Sequence, residues 1–300
     1  MKTVIYLLFA AILLQANDFN ASVLNSAYVS SWDNVNETLQ RFIIKHDNKI
    51  KEKYFPLVDQ PVLIENSYEG KAEPQTPKPA YTRDDLKILM TYTKYLIDQN
   101  RTQEIPEIYT RVISGLNNTD NNAYVTTFKI AMGNITLKSL KHDLDYLTPK
   151  EKSELLTHIP GLLRCKIEDF DAAVYDLFKT DIELAQSSLA QKFPKKRASR
   201  IVSILEKKVF DFYYHLFALK NVETQKSFMA KAIKEKNDFS KKLSRQLRKQ
   251  PLSGDAIQKL SDETIADTLF YSAFLTDFIG SREACKKVIK RNQKVLQMLK

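Results

Sequence analysis

Three hundred residues carry only 6 glycines and 10 prolines, too little punctuation for a β-sandwich or barrel, which needs a turn signal every ~8–12 residues. With 43% hydrophobic and 27% charged residues the chain can bury a core, which excludes a disordered polymer. The formal charge of +10 comes wholly from the second half: residues 1–150 hold 17 Lys+Arg against 17 Asp+Glu, and residues 151–300 hold 29 against 19.

The chain opens with the positive start Met1, Lys2 and Thr3 and the apolar run Val4 to Leu14. That run is shorter than the ~20 residues that cross a bilayer and suits a secretory signal peptide over 1–16, cut after Ala16. No later stretch reads as a transmembrane segment, so the expected product is secreted and extracellular. Five glycosylation acceptors agree with export: Asn20, Asn36, Asn100, Asn117 and Asn134, where composition predicts about two. All five fall in the neutral half.

Residues 17–55 combine a polar segment with an amphipathic helix on Val35, Leu39, Phe42, Ile43, His46, Ile50 and Tyr54, which Pro56 and Pro61 should end. Half of the prolines lie within residues 56–79, so 56–80 is expected to be an extended linker. The remainder, 81–300, is expected to be one helical body. Thr82 is expected to cap a helix carrying Leu86, Leu89, Met90, Thr93, Leu96 and Ile97. Further helices are expected from Pro106 to Gly115, from Ala123 to Gly133, and over Leu137 to Leu147. Thr148, Pro149 and Glu151 form a capping box with proline at the first helical position.

A long helix follows on Ile167, Phe170, Val174, Phe178 and Ile182, with an acidic outer face from Glu168 to Glu183. From Lys192 onward the count is 25 Lys+Arg against 11 Asp+Glu. A helix over Ile201 to Leu219 is expected to be apolar enough to be central, and one over Lys226 to Gln250 strongly basic, with an apolar stripe on Phe228, Met229, Ala232, Ile233, Phe239, Leu243 and Leu247. An aromatic helix through Leu269, Phe270, Phe274 and Phe278 should stop at Gly280, and Ser281 should cap the last one. The fold class is therefore all-α, a multi-helix bundle or helical array of about nine to eleven helices, with a proline-rich connector after the first long helix.

Catalytic chemistry finds little support. The four histidines His46, His142, His158 and His215 show no metal-ligand spacing, His46 and His215 read as core residues, and no P-loop, dinucleotide glycine pattern or nucleophile elbow occurs. No catalytic residue, metal or cofactor is assigned, and the chain is read as a binding protein rather than an enzyme. Cys165 and Cys285 are the only cysteines, and in an oxidising compartment they should form one disulfide. The leading partner is a polyanion (sulfated glycan, nucleic acid or acidic lipid), because convergent cations hold phosphate or sulfate without a fixed motif. The expected contacts are Lys195, Lys196, Arg197, Arg200, Lys241, Lys242, Arg245, Arg248, Lys249, Arg282, Lys286, Lys290 and Lys294. The alternatives are a carrier holding a small apolar ligand among the aromatics of Phe210–Phe217 and Leu269–Phe278, or an effector acting on a host or other extracellular protein.

Overall fold

The computed structural model describes residues 27–60, 81–118, 123–248 and 258–300. The signal segment 1–16, Asn20 and most of the proline connector lie outside these. Ten α-helices and no strand occur among the described residues, as expected for an all-α bundle. None of these helices is long and apolar enough to cross a membrane. The chain forms two compact units, one from residues 1–166 with 284–300, the other from residues 167–283. The second unit is thus an insertion within the first.

The first unit contains α1 (Glu37–Val58), α2 (Arg83–Asp98), α3 (Ile105–Asn117), α4 (Ala123–Asp143) and α5 (Pro149–His158), and most of α10 (Ile279–Leu299). Asn36 caps α1 by accepting the Thr38 N–H at 2.9 Å. Thr82 with Asp85, and Thr148 with Glu151, close reciprocal capping boxes on α2 and α5. Helix α2 is the centre of this unit, because every residue from Leu86 to Leu96 is buried, Lys87 and Lys94 included. Each fully buried Leu or Ile along it and its neighbours stabilises the unit by ~1.5–3 kcal/mol.

A polar cluster sits within this core. Asp143, with no exposed surface, accepts from Thr93 Oγ1 and from Tyr109 Oη, each at 2.6 Å, and pairs with Lys94 Nζ. Lys94 also donates to Ser139 Oγ at 3.0 Å. Burial pulls the Lys94 ammonium below its ordinary value against the attraction of Asp143. Burial also pushes the Asp143 carboxyl upward, but the hydrogen bonds from His142, Lys94 and Thr93 outweigh that and hold it below the usual aspartate range.

Two glycines expected to end helices lie inside them. Helix α3 runs through Gly115 to Asn117, and a Cβ there would stand 2.0 Å from the carbonyl oxygen of Val58. Helix α4 runs unbroken through Gly133, where a Cβ would meet the Leu163 side chain at 2.3 Å, so one helix replaces the two expected over Ala123 to Leu147. At both positions the missing side chain admits a neighbour rather than stopping a helix. Pro56 likewise lies inside α1, two residues before its end.

The second unit holds α6 (Ile167–Ala190), α7 (Lys195–Ala218), α8 (Val222–Arg248), α9 (Asp262–Leu269) and a π-helical turn, Phe270–Phe274. Its core gathers on α7, whose Ala198, Ile201, Val202, Leu205, Val209, Tyr213 and Leu216 are buried. Tyr213 stacks on Phe178 of α6 at 4.4 Å between centroids, and Phe212 meets Phe228 of α8 at 5.0 Å and Phe270 at 5.4 Å. The expected aromatic helix through Phe278 is broken after Phe274, because the Tyr213 hydroxyl takes the two backbone groups that a continued helix would use. It donates to the Phe274 carbonyl at 2.7 Å and accepts the Thr276 N–H at 2.9 Å. Gly280 and Ser281 then lie inside α10, and Asp277 Oδ1 accepts the Ile279 N–H at its start.

Asp181 on α6 is half-buried, and burial pushes its carboxyl up from 3.8 to about 6. The folded state therefore holds that proton more tightly than the unfolded chain, so this group's contribution to stability falls as pH rises from 3.8 through about 6. The Asp181→Asn variant should be more stable than the parent by ~1–2 kcal/mol at pH 7.5 and unchanged near pH 3.5, where the parent is already neutral. Denaturant midpoints at the two pH values check this; an equal shift at both rejects the titration.

Candidate polyanion-binding surface

Helices α7 and α8 are joined by residues 219–221 and fold back on each other. The buried Gln225 side chain of α8 donates to the Leu219 carbonyl at 2.7 Å, and His215 and Phe212 both meet Phe228. Farther along, Tyr271 touches Phe239 of α8 at 5.3 Å and lies 4.9 Å from Lys208 Nζ of α7, so one ring bridges the two helices beyond the turn. Residues 195–248 hold fifteen Lys and Arg against five Asp and Glu, an excess equal to the net charge of the whole chain. Apolar stripes turned toward α6, α9 and each other leave these cations on the outer faces.

The far end of this hairpin gathers six of the expected residues. Lys195, Lys196 and Arg200 are exposed at the start of α7, and Lys241, Lys242 and Arg245 are exposed near the end of α8. Arg200 and Lys241 each lie about 27–29 Å along their helices from the turn at 1.5 Å per residue, so a hairpin that stays antiparallel sets the two triplets at the same end. Arg200 donates to Asp262 Oδ2 at 2.7 Å but keeps 65% of its side chain exposed. Glu235 and Asp238 are exposed on α8 as well, and the net sign of this end stays positive.

Other expected contacts are used differently. Arg197 is half-buried over the Phe193 ring, holds Asp262 at 2.8 Å and donates to the carbonyls of Gln258 and Leu260. That guanidinium anchors the chain entering α9 and holds the Asp262 carboxyl below its usual range. Arg282 is not on an outer stripe: it is buried, makes two 2.8 Å bonds to Asp171, and lies over Phe217. Both are corrections to the sequence reading, in which position on a helix face could not reveal a carboxylate across the fold.

Lys286 is half-buried, whereas Lys290 and Lys294 are exposed on the part of α10 that belongs to the first unit. They form a separate stripe. Lys249 and the Arg248 side chain lie outside the described residues. The acidic face of α6 does not neutralise the hairpin: among the described residues, ion pairs of the hairpin cations go to Asp262, Asp267 and Glu223.

The sequons divide as well. Asn36 and Asn100 are exposed, the latter with a left-handed φ of 55°. Asn117 is engaged by its amide, which donates to the Leu162 carbonyl and accepts the Arg164 N–H, both at 2.7 Å, and Asn134 accepts from Arg291 within α4.

Other chemistry has no comparable setting. His46 is half-buried with Nδ1 at 2.8 Å from the Phe42 carbonyl, and His215 is exposed beside Phe228 rather than in the core. No group of three or more metal-ligating side chains converges among the described residues. The aromatics of Phe210–Phe217 and Leu269–Phe278 pack on one another. Two open grooves lie in the first unit, one of about 420 Å³ along Phe42, His46 and Tyr54 and one of about 520 Å³ beside Pro149 and Leu299. Sequence reasoning missed the Lys94–Asp143 cluster. The available signal was Thr93 and Lys94 within a helix whose apolar residues occupy more than one face. No protein-family model, curated protein or solved structure matches the chain.

Proposed function

We propose that the protein is an exported, N-glycosylated binding protein that holds polyanions through the cationic end of the α7–α8 hairpin. The observation that carries this reading is the pair of exposed triplets, Lys195, Lys196 and Arg200 with Lys241, Lys242 and Arg245, at matching distances from the turn on two helices that fold back on each other. Only one carboxylate, Asp262, is paired with them among the described residues. Sulfate and phosphate groups are attracted by such a cluster and release counterions on binding, so affinity needs neither a deep pocket nor a fixed motif. Export rests on the apolar run Val4 to Leu14 and on the sequons, of which Asn36 and Asn100 are accessible. Within the proposal the protein acts by binding, not catalysis.

A heparin column tests it. Replacing Lys196, Lys241, Lys242 and Arg245 by glutamate should bring elution down to low salt. The matched replacement of Lys287, Lys290, Lys294 and Lys300 in the C-terminal segment of the first unit should leave elution close to the parent's, after allowing for the change in net charge. Equal losses from the two sets would mean that net charge alone governs retention, and the assignment to the hairpin would fall.

A further inference from the structure

Cys165 and Cys285 are 120 residues apart in sequence, yet their Sγ atoms lie 3.5 Å from each other. Both belong to the first unit, and the inserted second unit spans residues 167–283. Cys165 is therefore the last residue but one before the chain leaves the first unit, and Cys285 is the second residue after it returns. Cys285 is fully buried in the opening turns of α10, and Cys165 is half-buried. The rest of α10 is also fixed to this unit: Asn292 accepts the Leu163 N–H at 3.0 Å and donates to the carbonyls of Gly161 and Leu163 at 3.2 Å, and Arg291 bonds Asn134.

We propose that Cys165 and Cys285 form a redox-controlled clasp where the chain leaves and re-enters the first unit, closing residues 165–285 into a covalent ring and pinning the C-terminal helix to that unit. The reaction is thiol–disulfide exchange with a small disulfide such as oxidised glutathione. The more accessible Cys165 thiolate attacks one glutathione sulfur, forming a mixed disulfide and releasing one glutathione thiolate. The Cys285 thiolate then attacks the Cys165 sulfur and expels the second glutathione. Two protein thiols are oxidised, one glutathione disulfide is reduced to two thiols, and two protons pass from the cysteines to the departing thiolates.

The native full-length chain, reduced and then incubated with oxidised glutathione, is denatured and alkylated, and its intact mass is measured. The expected product carries no alkyl group and no glutathione and weighs two hydrogens less than the reduced chain. Thiol reductant should restore two alkylation sites. The oxidised chain should melt ~5–10 °C above the reduced one, and a tryptic cut within residues 167–283 should leave the fragments joined until reductant is added. Cys285→Ser should stop at the glutathione adduct on Cys165, and because the oxidation is first read on the parent chain, misfolding of that variant would not obscure the result. Two alkylated cysteines after oxidation, a persistent glutathione adduct on the parent, or disulfide-linked dimers in place of the intramolecular bond would each overturn the proposal.

Discussion

Replacing Asp143 by alanine should be the most damaging single change in the first unit, costing ~3–5 kcal/mol because it leaves a charged or forcibly neutralised lysine alone in the core. Three buried donors, Lys94 Nζ, Thr93 Oγ1 and Tyr109 Oη, converge on that one carboxylate. Removing it leaves Lys94, with 1% of its side chain exposed, no water to turn to. Asp143→Asn should lose nearly as much, since the amide keeps the shape but not the charge. The double variant Lys94→Met with Asp143→Leu should recover most of the loss, because apolar side chains of similar volume avoid the desolvation of both ions. Denaturant unfolding followed by helical circular dichroism measures all three. The pH dependence has a definite sign: the Asp143 carboxyl is held below its ordinary 3.8, so its contribution is present above that value and lost as pH falls through the lower folded value. A parent-like midpoint for Asp143→Ala would show that the cluster does not hold the core.

The second large effect concerns Gly115. Alanine is favoured over glycine in a helix by up to ~1 kcal/mol, so propensity alone predicts a gain at this position. The contact reverses the sign. An added Cβ would stand 2.0 Å from the Val58 carbonyl oxygen, a backbone atom that cannot rotate away, so α1 and α3 must separate. Gly115→Ala should destabilise by ~2–4 kcal/mol and Gly115→Val by more, because overpacking displaces backbone rather than a side chain. Gly280, also helical, has nothing within 4 Å of a built Cβ, and Gly280→Ala should be neutral or stabilising by ~0.5–1 kcal/mol. The opposite signs separate close approach from propensity, and thermal melts of the two variants are enough to see them.

These two sites also mark how far the sequence could be read. Helix periodicity and sparse turn residues disclosed the all-α class, and the cap at Thr82 and the capping box at Thr148 gave two helix starts to the residue. Glycine was less informative: Gly115 and Gly133 read as stops because a sequence does not show which residues are absent to admit a neighbour. The break after Phe274 depends on the Tyr213 hydroxyl, which is 61 residues away in the chain. The two-unit division is equally hidden, since neither position 166 nor position 284 carries proline or glycine.

The candidate surface was legible in part. Local charge density located the α7 and α8 cations, and hairpin topology put six of them at one end. Arg197 and Arg282 looked the same by charge and spacing, but Asp262 and Asp171 engage them through tertiary contacts. Burial together with that pairing separates Arg197 and Arg282 from Arg200, which meets Asp262 but keeps 65% of its side chain exposed, and neither feature has a signature in local periodicity.

The most direct measurement is the salt dependence of affinity for a heparin oligosaccharide, by titration calorimetry across a salt series. Each ionic contact contributes roughly one to the slope of log affinity against log salt. The parent should bind with a slope of several, and the variant with glutamate at Lys196, Lys241, Lys242 and Arg245 should bind more weakly with a slope lower by about three to four. An unchanged slope and affinity in that variant would contradict binding at the hairpin end.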